Sequence, residues 1–146
     1  MIKNKNIALG LILGSGVDLL DDIITEKNVI FEETMGVHHK LIYTCKISGI
    51  EAIVFKGRKH FYEGYSFEEI TSNIKLAKEL GVKNLLITNA AGGLNENFCE
   101  GDLMLITSHI NFIDKLNLRG AANIYDISLQ EKFISACRKT NVKLSE

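Results

Sequence analysis

An apolar run that ends in small residues constrains the fold of this chain more than any other feature. Residues 85–88 (Leu-Leu-Ile-Thr) are aliphatic or β-branched, and Asn-Ala-Ala-Gly-Gly follows at 89–93. Such a run is typical of a strand buried in a parallel sheet. The alanines and glycines after it leave backbone N–H groups open to close approach. Because ligands of open α/β sheets bind beyond the carboxyl ends of strands, this loop is predicted to hold an anion.

The rest of the chain predicts an α/β fold with a mixed central sheet flanked by helices. The predicted strands are short apolar or alternating runs at residues 7–13, 28–33, 40–47, 51–55, 85–88 and 103–107. The predicted helices, which have one apolar face, cover residues 17–24, 66–80 and 128–139. Ser66 and Glu69 form a capping-box pattern, and Gly81 ends that helix. Ser48-Gly49 is a plausible hairpin turn. This element order favours one layered α/β domain.

Composition excludes several classes of function. The 146 residues carry a formal net charge of −1, and 46% of them are hydrophobic, as in an ordinary globular protein. No basic stripe indicates nucleic-acid binding, and no apolar run approaches the roughly 20 residues that span a bilayer. Cys45, Cys99 and Cys137 are far apart, form no metal-spaced pair and are interpreted as inert packing residues. We expect a cytoplasmic protein with no metal site and no nucleic-acid or membrane partner.

Two segments contain residues suited to an anion and a sugar. Gly14-Ser15-Gly16 follows the first strand, lacks the spacing of a hydrolase nucleophile elbow, and taken alone is most simply a tight turn. Residues 57–65 read Gly-Arg-Lys-His-Phe-Tyr-Glu-Gly-Tyr. On an extended segment Arg58, His60 and Tyr62 face the same side, where they offer a fork for phosphate, an adjustable donor and a hydroxyl for a sugar. A solvated charged turn is the alternative.

Other histidines have simpler interpretations. His38 and His39 pair too poorly with other ligands to suggest a metal site and are candidates for surface residues. His109 and Asn111 follow an apolar strand and are candidates for ordinary loop residues. The residues alone therefore predict an α/β protein with a site for an anion and a polyol, and leave the reaction open.

Four motifs in order resemble one family. They are residues 13–16 (LGSG), 57–65 (GRKHFYEGY), 88–93 (TNAAGG) and 101–111 (GDLMLITSHIN). Together they resemble the trimeric purine nucleoside phosphorylases that act on inosine and guanosine. The related methylthioadenosine phosphorylases carry a sequence similar to Thr-Ala-Cys-Gly-Ser at the central loop, so this chain points away from them.

The resemblance implies a phosphorylase/nucleosidase-like fold and a pentosyltransferase of purine salvage. Its substrates would be a purine nucleoside and inorganic phosphate, with no further cofactor, in a cytoplasmic homotrimer. The phosphate-binding residues that it implies are Ser15, His38, Arg58, His60 and the Ala90 backbone N–H. His39 is the alternative to His38. The resemblance further implies catalytic roles for His60 and Asn89 and a ribose contact for Tyr62.

The chain also departs from the family pattern. The family's base-binding glutamate and asparagine, and another phosphate-binding serine, belong to a second half that has no counterpart within residues 1–146. These residues are therefore expected to form the N-terminal part of a single, truncated phosphorylase domain. Ser108 replaces an aspartate, and the loop at 112–127 is shorter and lacks the family's proline. The alternative is a non-catalytic remnant of the family that binds phosphate or a partner chain.

Overall fold

The computed structural model describes residues 7–14, 16–18, 21–35, 38–110 and 124–145, with only the backbone of Asp21, Met35 and His38. The chain divides into two compact units, Met1–Ala91 and Gly92–Glu146.

The first unit contains a five-stranded mixed sheet. Its strands are β1 (Leu9–Ile12), β2 (Ile24–Met35), β3 (His38–Ile47), β4 (Ile50–Lys56) and β5 (Asn84–Ile87). The order across the sheet is β2-β3-β4-β1-β5. β2, β3 and β4 form an antiparallel meander, whereas β1 runs parallel to both β4 and β5. The predicted mixed α/β sheet is confirmed.

Burial on both faces of β4 explains why the sheet is organised around it. Ile53 and Phe55 belong to one apolar cluster, and Ala52 and Val54 belong to a second. All four are fully buried. Since successive side chains of a strand point to opposite faces, the two clusters lie on opposite faces of the sheet. Ala77, in the helical segment between β4 and β5, belongs to the first cluster, so that segment covers the first face.

The helical segment at 66–80 is interrupted once. Ser66 caps α1 (Phe67–Ile70), and the capping box with Glu69 is present. The Thr71 hydroxyl then donates to the carbonyl oxygen of Phe67 at 2.6 Å, and α2 (Ser72–Glu79) begins after it. A threonine hydroxyl bonded to the preceding turn distorts a helix. The single predicted helix is therefore two short ones. Gly81, at φ 75°, ends α2 as predicted.

The predicted helix at 17–24 is wrong. Among its described residues the chain forms only a 3₁₀ turn at Asp21–Ile23, and β2 already begins at Ile24. Aspartate is a poor residue for a helix interior and β-branched Ile23, Ile24 and Thr25 favour strand. The described residues of this segment therefore provide no helix N-terminus for the loop after β1.

The second unit is smaller. It contains a parallel pair of two-residue strands, β6 (Leu103–Met104) and β7 (Leu144–Ser145), and the helix α3 (Ile127–Lys139). The predicted strand at 103–107 is thus shorter, and the helix at 128–139 is confirmed to within one residue. The Cys99 backbone N–H donates to Asp102, and Lys143 contacts the same carboxylate. These two contacts, the first more strongly, lower the pKa of Asp102.

Two of the three cysteines are packing residues. Cys45 and Cys137 are buried, and burial raises the pKa of the Cys45 thiol. Cys99 is exposed, so its interpretation as a packing residue is wrong. In the part of the chain that the structure describes, no helix is long and apolar enough to cross a membrane.

We expect Glu69→Gln to lower the stability of the fold in a pH-dependent way. The pKa of Glu69 is lowered to about 2, first because the Ser66 backbone N–H donates to its carboxylate, and then by the Ser66 hydroxyl and Lys59. Such a group stabilises the folded state above its ordinary pKa of 4.5 and loses that effect as the pH falls towards 2. Thermal unfolding midpoints should therefore be lower for the variant at pH 7 and converge between pH 4.5 and 2.

Glu79→Gln is the matched control. Glu79 is the last residue of α2, where a negative charge opposes the helix dipole, so its neutralisation should leave the midpoint unchanged or slightly higher at pH 7. A pH-independent difference for Glu69→Gln would contradict the charge-based explanation.

Candidate functional site

Three loops leave the sheet at the same edge. Ile12 at the end of β1 is in register with Phe55 of β4 on one side and with Ile87 of β5 on the other. The ladder continues one residue further on each side, where Leu13 donates to the Phe55 carbonyl at 2.9 Å and Thr88 donates to the Ile12 carbonyl at 3.0 Å. Because the three strands are parallel, the loops that follow them begin side by side.

The loop after β1 contacts the loop after β5 directly. The Gly14 N–H donates to Thr88 Oγ1 at 2.9 Å. A Cβ placed on Gly14 would lie 2.5 Å from the Thr88 carbonyl oxygen and 2.8 Å from Asn89 Cα. Only glycine allows this approach. The glycine before Ser15 is therefore explained by contact between two loops.

The other end of the β1 loop is bonded to β4. Lys56 Nζ, from the last residue of β4, lies 2.6 Å from Asp18 Oδ1. Ser15 itself lies outside the described residues, and its role stays a prediction. Of its described neighbours, Gly14 is bonded to Thr88 after β5, and Asp18 is bonded to Lys56 at the end of β4.

The segment after β4 packs against the beginning of β3. Gly57 has φ 75°, and a Cβ on it would lie 2.1 Å from the His39 carbonyl oxygen and 2.9 Å from Lys40 Cα. The beginning of β3 lies at this edge because β3 is antiparallel to β4. His38 is the first residue of β3, and its side chain lies outside the described part. His39 Nε2 is 2.9 Å from Glu32 Oε1 on β2.

A short turn brings His60 and Tyr62 together. The segment was predicted to be extended, but residues Phe61–Glu63 form a 3₁₀ turn that ends at Gly64 in the left-handed region. The His60 backbone N–H donates to Glu63 Oε2 at 2.8 Å, which stabilises the turn. The His60 and Tyr62 rings stack with centroids 5.0 Å apart and planes at 15°. Tyr62 is 82% exposed. The two residues are therefore adjacent for a reason other than strand alternation.

The Arg58 side chain contains a hydrogen-bond donor that lacks an acceptor among the described residues. Its Nε is buried and has no hydrogen-bond partner among the described residues. A buried donor that is left unpaired costs free energy, so native structures rarely retain one without a reason. An acceptor that enters this site would remove that cost.

The loop after β5 exposes backbone. Asn89 and Ala90 are both exposed, and Asn89 Nδ2 donates to the Ala90 carbonyl at 3.3 Å. Within the described ranges, the Ala90 N–H donates no hydrogen bond. A free backbone N–H at a strand end suits an anion.

The second unit contains another pair of aromatic rings in contact. His109 Nδ1 lies 3.2 Å from the Tyr125 hydroxyl, and the rings meet edge-on at 6.0 Å. Asn111 lies outside the described residues. Among the described residues, no group of three or more histidine, cysteine, aspartate or glutamate side chains is arranged to hold a metal ion.

The profile of the phosphorylase superfamily matches residues 8–146. The chain belongs to the phosphorylase superfamily. It is 43% identical over 113 residues to purine nucleoside phosphorylase 1 of Bacillus subtilis, a match that covers 72% of this chain and 42% of the relative. It is 37% identical over 111 residues to purine nucleoside phosphorylase of Bos taurus, covering 70% of this chain and 38% of the relative. The match thus spans less than half the length of these relatives.

Solved phosphorylases share the fold. Isoform 2 of purine nucleoside phosphorylase from Schistosoma mansoni, in complex with cytosine and ribose-1-phosphate, superposes with a TM-score of 0.81 at 34% identity, covering 95% of this chain and 57% of that one. A Schistosoma mansoni purine nucleoside phosphorylase in complex with inosine gives 0.71 at 28% identity, covering 96% and 58%. The resemblance and the phosphorylase-like fold inferred from the four motifs are therefore confirmed.

Sequence reasoning did not identify two residues that hold the loops of this candidate site in place. Thr88 bonds the β1 loop to the β5 loop, and Glu63 bonds the backbone of His60. The only sequence signals were a polar β-branched residue at the end of an apolar run and a carboxylate three residues after a histidine. Neither signal names a partner, because the Thr88 contact spans 74 positions in the chain.

We expect Gly57→Ala to destabilise this superfamily member more than Gly49→Ala does. Both glycines have positive φ, but a Cβ on Gly49 meets nothing within 4 Å, whereas one on Gly57 meets the backbone of β3. The control should lose about 1–2 kcal/mol from the left-handed backbone alone, and Gly57→Ala should lose about 1–3 kcal/mol more from overpacking. Urea unfolding measures both, and equal losses would show that residue 57 does not pack on β3.

Proposed function

We propose that this chain forms the phosphate and ribose side of a purine nucleoside phosphorylase, a pentosyltransferase. The reaction is the phosphate-dependent cleavage of inosine- or guanosine-type nucleosides to the free base and ribose 1-phosphate. One observation supports this proposal most directly. The loops after β1, β4 and β5, which contain the predicted site residues, leave one edge of the sheet side by side. The names of the relatives, and the ribose-1-phosphate and inosine bound to the solved phosphorylases, support this choice.

Phosphate would be held by donors from each of the three loops. They are Ser15 after β1, Arg58 and His60 after β4, and the Ala90 N–H after β5, with His38 at the start of β3. Two of these donors, Arg58 Nε and the Ala90 N–H, have no acceptor among the described residues. Charge-assisted bonds from such donors to a phosphate oxygen are stronger than neutral ones.

The chemistry would depend on position and charge. The glycosidic C–N bond breaks with its electron pair going to the base, and a phosphate oxygen bonds to the same ribosyl carbon. The base takes up the proton that the phosphate gives up. Positive charge develops on the ribose as the base leaves, and the phosphate held beneath it stabilises that charge. His60 would hold the phosphate in place, Asn89 would shape the loop beside it, and Tyr62, which stacks on His60, would contact the ribose. Phosphate is a co-substrate, and we propose no other cofactor.

The proposal also covers the domain organisation, the assembly and the location of the protein. We propose that residues 1–146 form the N-terminal part of one phosphorylase domain that works as a cytoplasmic homotrimer. The near-neutral net charge of −1 supports small-molecule substrates over nucleic acid or a membrane surface as partners.

A non-catalytic protein that binds phosphate or a partner chain is the second candidate. It is favoured by the exposure of β5. β5 is the last strand on one side of the sheet and has a neighbour only in β1 among the described strands. Its Leu86 and Ile87 are 41% and 46% exposed. An edge strand with exposed apolar side chains is suited to pair with another segment.

An inosine cleavage assay separates the two candidates. The chain is assayed for hypoxanthine release with and without phosphate, first alone and then with a polypeptide that covers the unmatched part of the Bacillus subtilis relative. We expect little turnover from the chain alone and phosphate-dependent release from the mixture. Phosphate binding with no release in either case would support the non-catalytic candidate.

Arg58→Ala should weaken binding of inorganic phosphate by on the order of 10-fold or more, since a charged hydrogen bond is lost. Arg58→Lys should recover part of the affinity, because it keeps the charge and loses the planar fork. Isothermal titration of phosphate measures the dissociation constants of the folded proteins.

Lys59→Ala is the matched control for Arg58. Lys59 is the adjacent cation, but it pairs with Glu69 at 3.1 Å and lies over the Tyr65 ring at 4.5 Å. Its removal should change phosphate affinity less than about twofold, as expected for a charge that does not contact the ligand. An equal effect of both substitutions would indicate a general field and remove Arg58 from the site.

A further inference from the structure

We propose that Thr88 is a positioning residue that sets the distance between the Ser15 loop and the Ala90 loop. Its hydroxyl oxygen accepts from Gly14, the last described residue before Ser15, and so bonds the end of β1 to the end of β5. This inference rests on the proposed phosphate site and adds a residue to which neither the motifs nor the relatives gave a role.

Thr88 contacts the β1 segment with three of its groups. Its N–H donates to the Ile12 carbonyl at 3.0 Å, and its Oγ1 accepts from the Gly14 N–H at 2.9 Å. Its carbonyl oxygen lies so close to Gly14 that an added Cβ would be 2.5 Å away. Residues 12 and 14 are thereby held by one side chain and the backbone around it.

A hydroxyl is needed at this position because the ladder ends there. Leu13 donates to the Phe55 carbonyl, which is the last backbone bond between β1 and β4 among the described residues. The half-buried Gly14 lies beyond that bond, and its N–H needs an acceptor. Threonine combines a β-branched shape that continues the strand with an oxygen that supplies this acceptor. Valine would retain the shape and leave the N–H unpaired.

The two bonded residues are close in the chain to two of the proposed phosphate donors. Ser15 follows Gly14, and Ala90 lies two positions after Thr88. A hydrogen bond between Gly14 and Thr88 therefore sets the spacing of the two loops at their bases. Donors aimed at an anion must be held in place before it arrives, and small displacements reduce their effect.

The second bond of the β1 loop is weaker. The Lys56–Asp18 ion pair has side chains that are 31% and 75% exposed, and such pairs contribute little to stability. The Thr88–Gly14 bond is half-buried and joins a backbone group. The Thr88–Gly14 bond therefore holds the loop more firmly than this ion pair does.

The test compares phosphate affinity among variants of the whole chain. Thr88→Val should raise the dissociation constant of inorganic phosphate on the order of 10-fold, Thr88→Ser should restore it to within about twofold of wild type, and the control Asp18→Asn should leave it unchanged. Where the mixture described above turns over, Thr88→Val should raise the KM for phosphate more than the KM for inosine.

Each outcome decides the proposal. If Thr88→Val lowers only the unfolding midpoint and binds phosphate as wild type does, Thr88 is merely structural and the proposal is wrong. If Thr88→Ser fails to rescue affinity while it folds normally, the hydroxyl is not the cause. If Thr88→Val does not fold, the phosphate affinity of Thr88→Ala is compared with that of wild type in the same way.

Arg58→Ala distinguishes this failure from failure of the proposed function. If Thr88→Val binds phosphate as wild type does while Arg58→Ala binds it more weakly, only the positioning role of Thr88 is overturned. A wild-type chain that binds no phosphate overturns both proposals.

Discussion

The parallel pairing of β1 with β4 and β5 is the constraint on which the site depends. Register pairs Ile12 with both Phe55 and Ile87, so three segments far apart in the chain end at one edge of the sheet. An antiparallel β1 would place its loop at the opposite edge. β3 contributes to the same edge with its beginning because it is antiparallel to β4. Strand direction thus decides which residues can meet.

The site also shows a conflict between packing and binding. Glycines at 14 and 57 let backbone segments pack closely. Next to Gly57, the buried Arg58 Nε has no acceptor among the described residues. Close packing stabilises the fold and a buried unpaired donor destabilises it, and an anion bound at the proposed site would remove the second effect.

Much of this arrangement was predictable from local patterns, and the rest was not. The strand before Asn89, the capping box at Ser66 and the turn at Gly81 are local signals, and the structure confirms them. The predicted burial of that strand is wrong, because β5 is the last strand on one side of the sheet and its Leu86 and Ile87 are 41% and 46% exposed. The helix at 17–24 failed because three aspartates mimic a polar helix face, while β-branched residues favour strand. The Gly14–Thr88 bond was beyond prediction, since its partners are 74 positions apart and only the sheet order joins them.

The separation along the chain also bears on how the protein folds. β2, β3 and β4 are consecutive and antiparallel, so their pairing closes short loops. β1 must instead find β4 across the whole meander, and β5 must return past α1 and α2 to reach β1. Closing such long loops costs more chain entropy, so parallel pairings of this kind form slowly. The edge of the sheet that carries the candidate site is then expected to form late in folding, so a partly folded chain that contains only the meander would lack it.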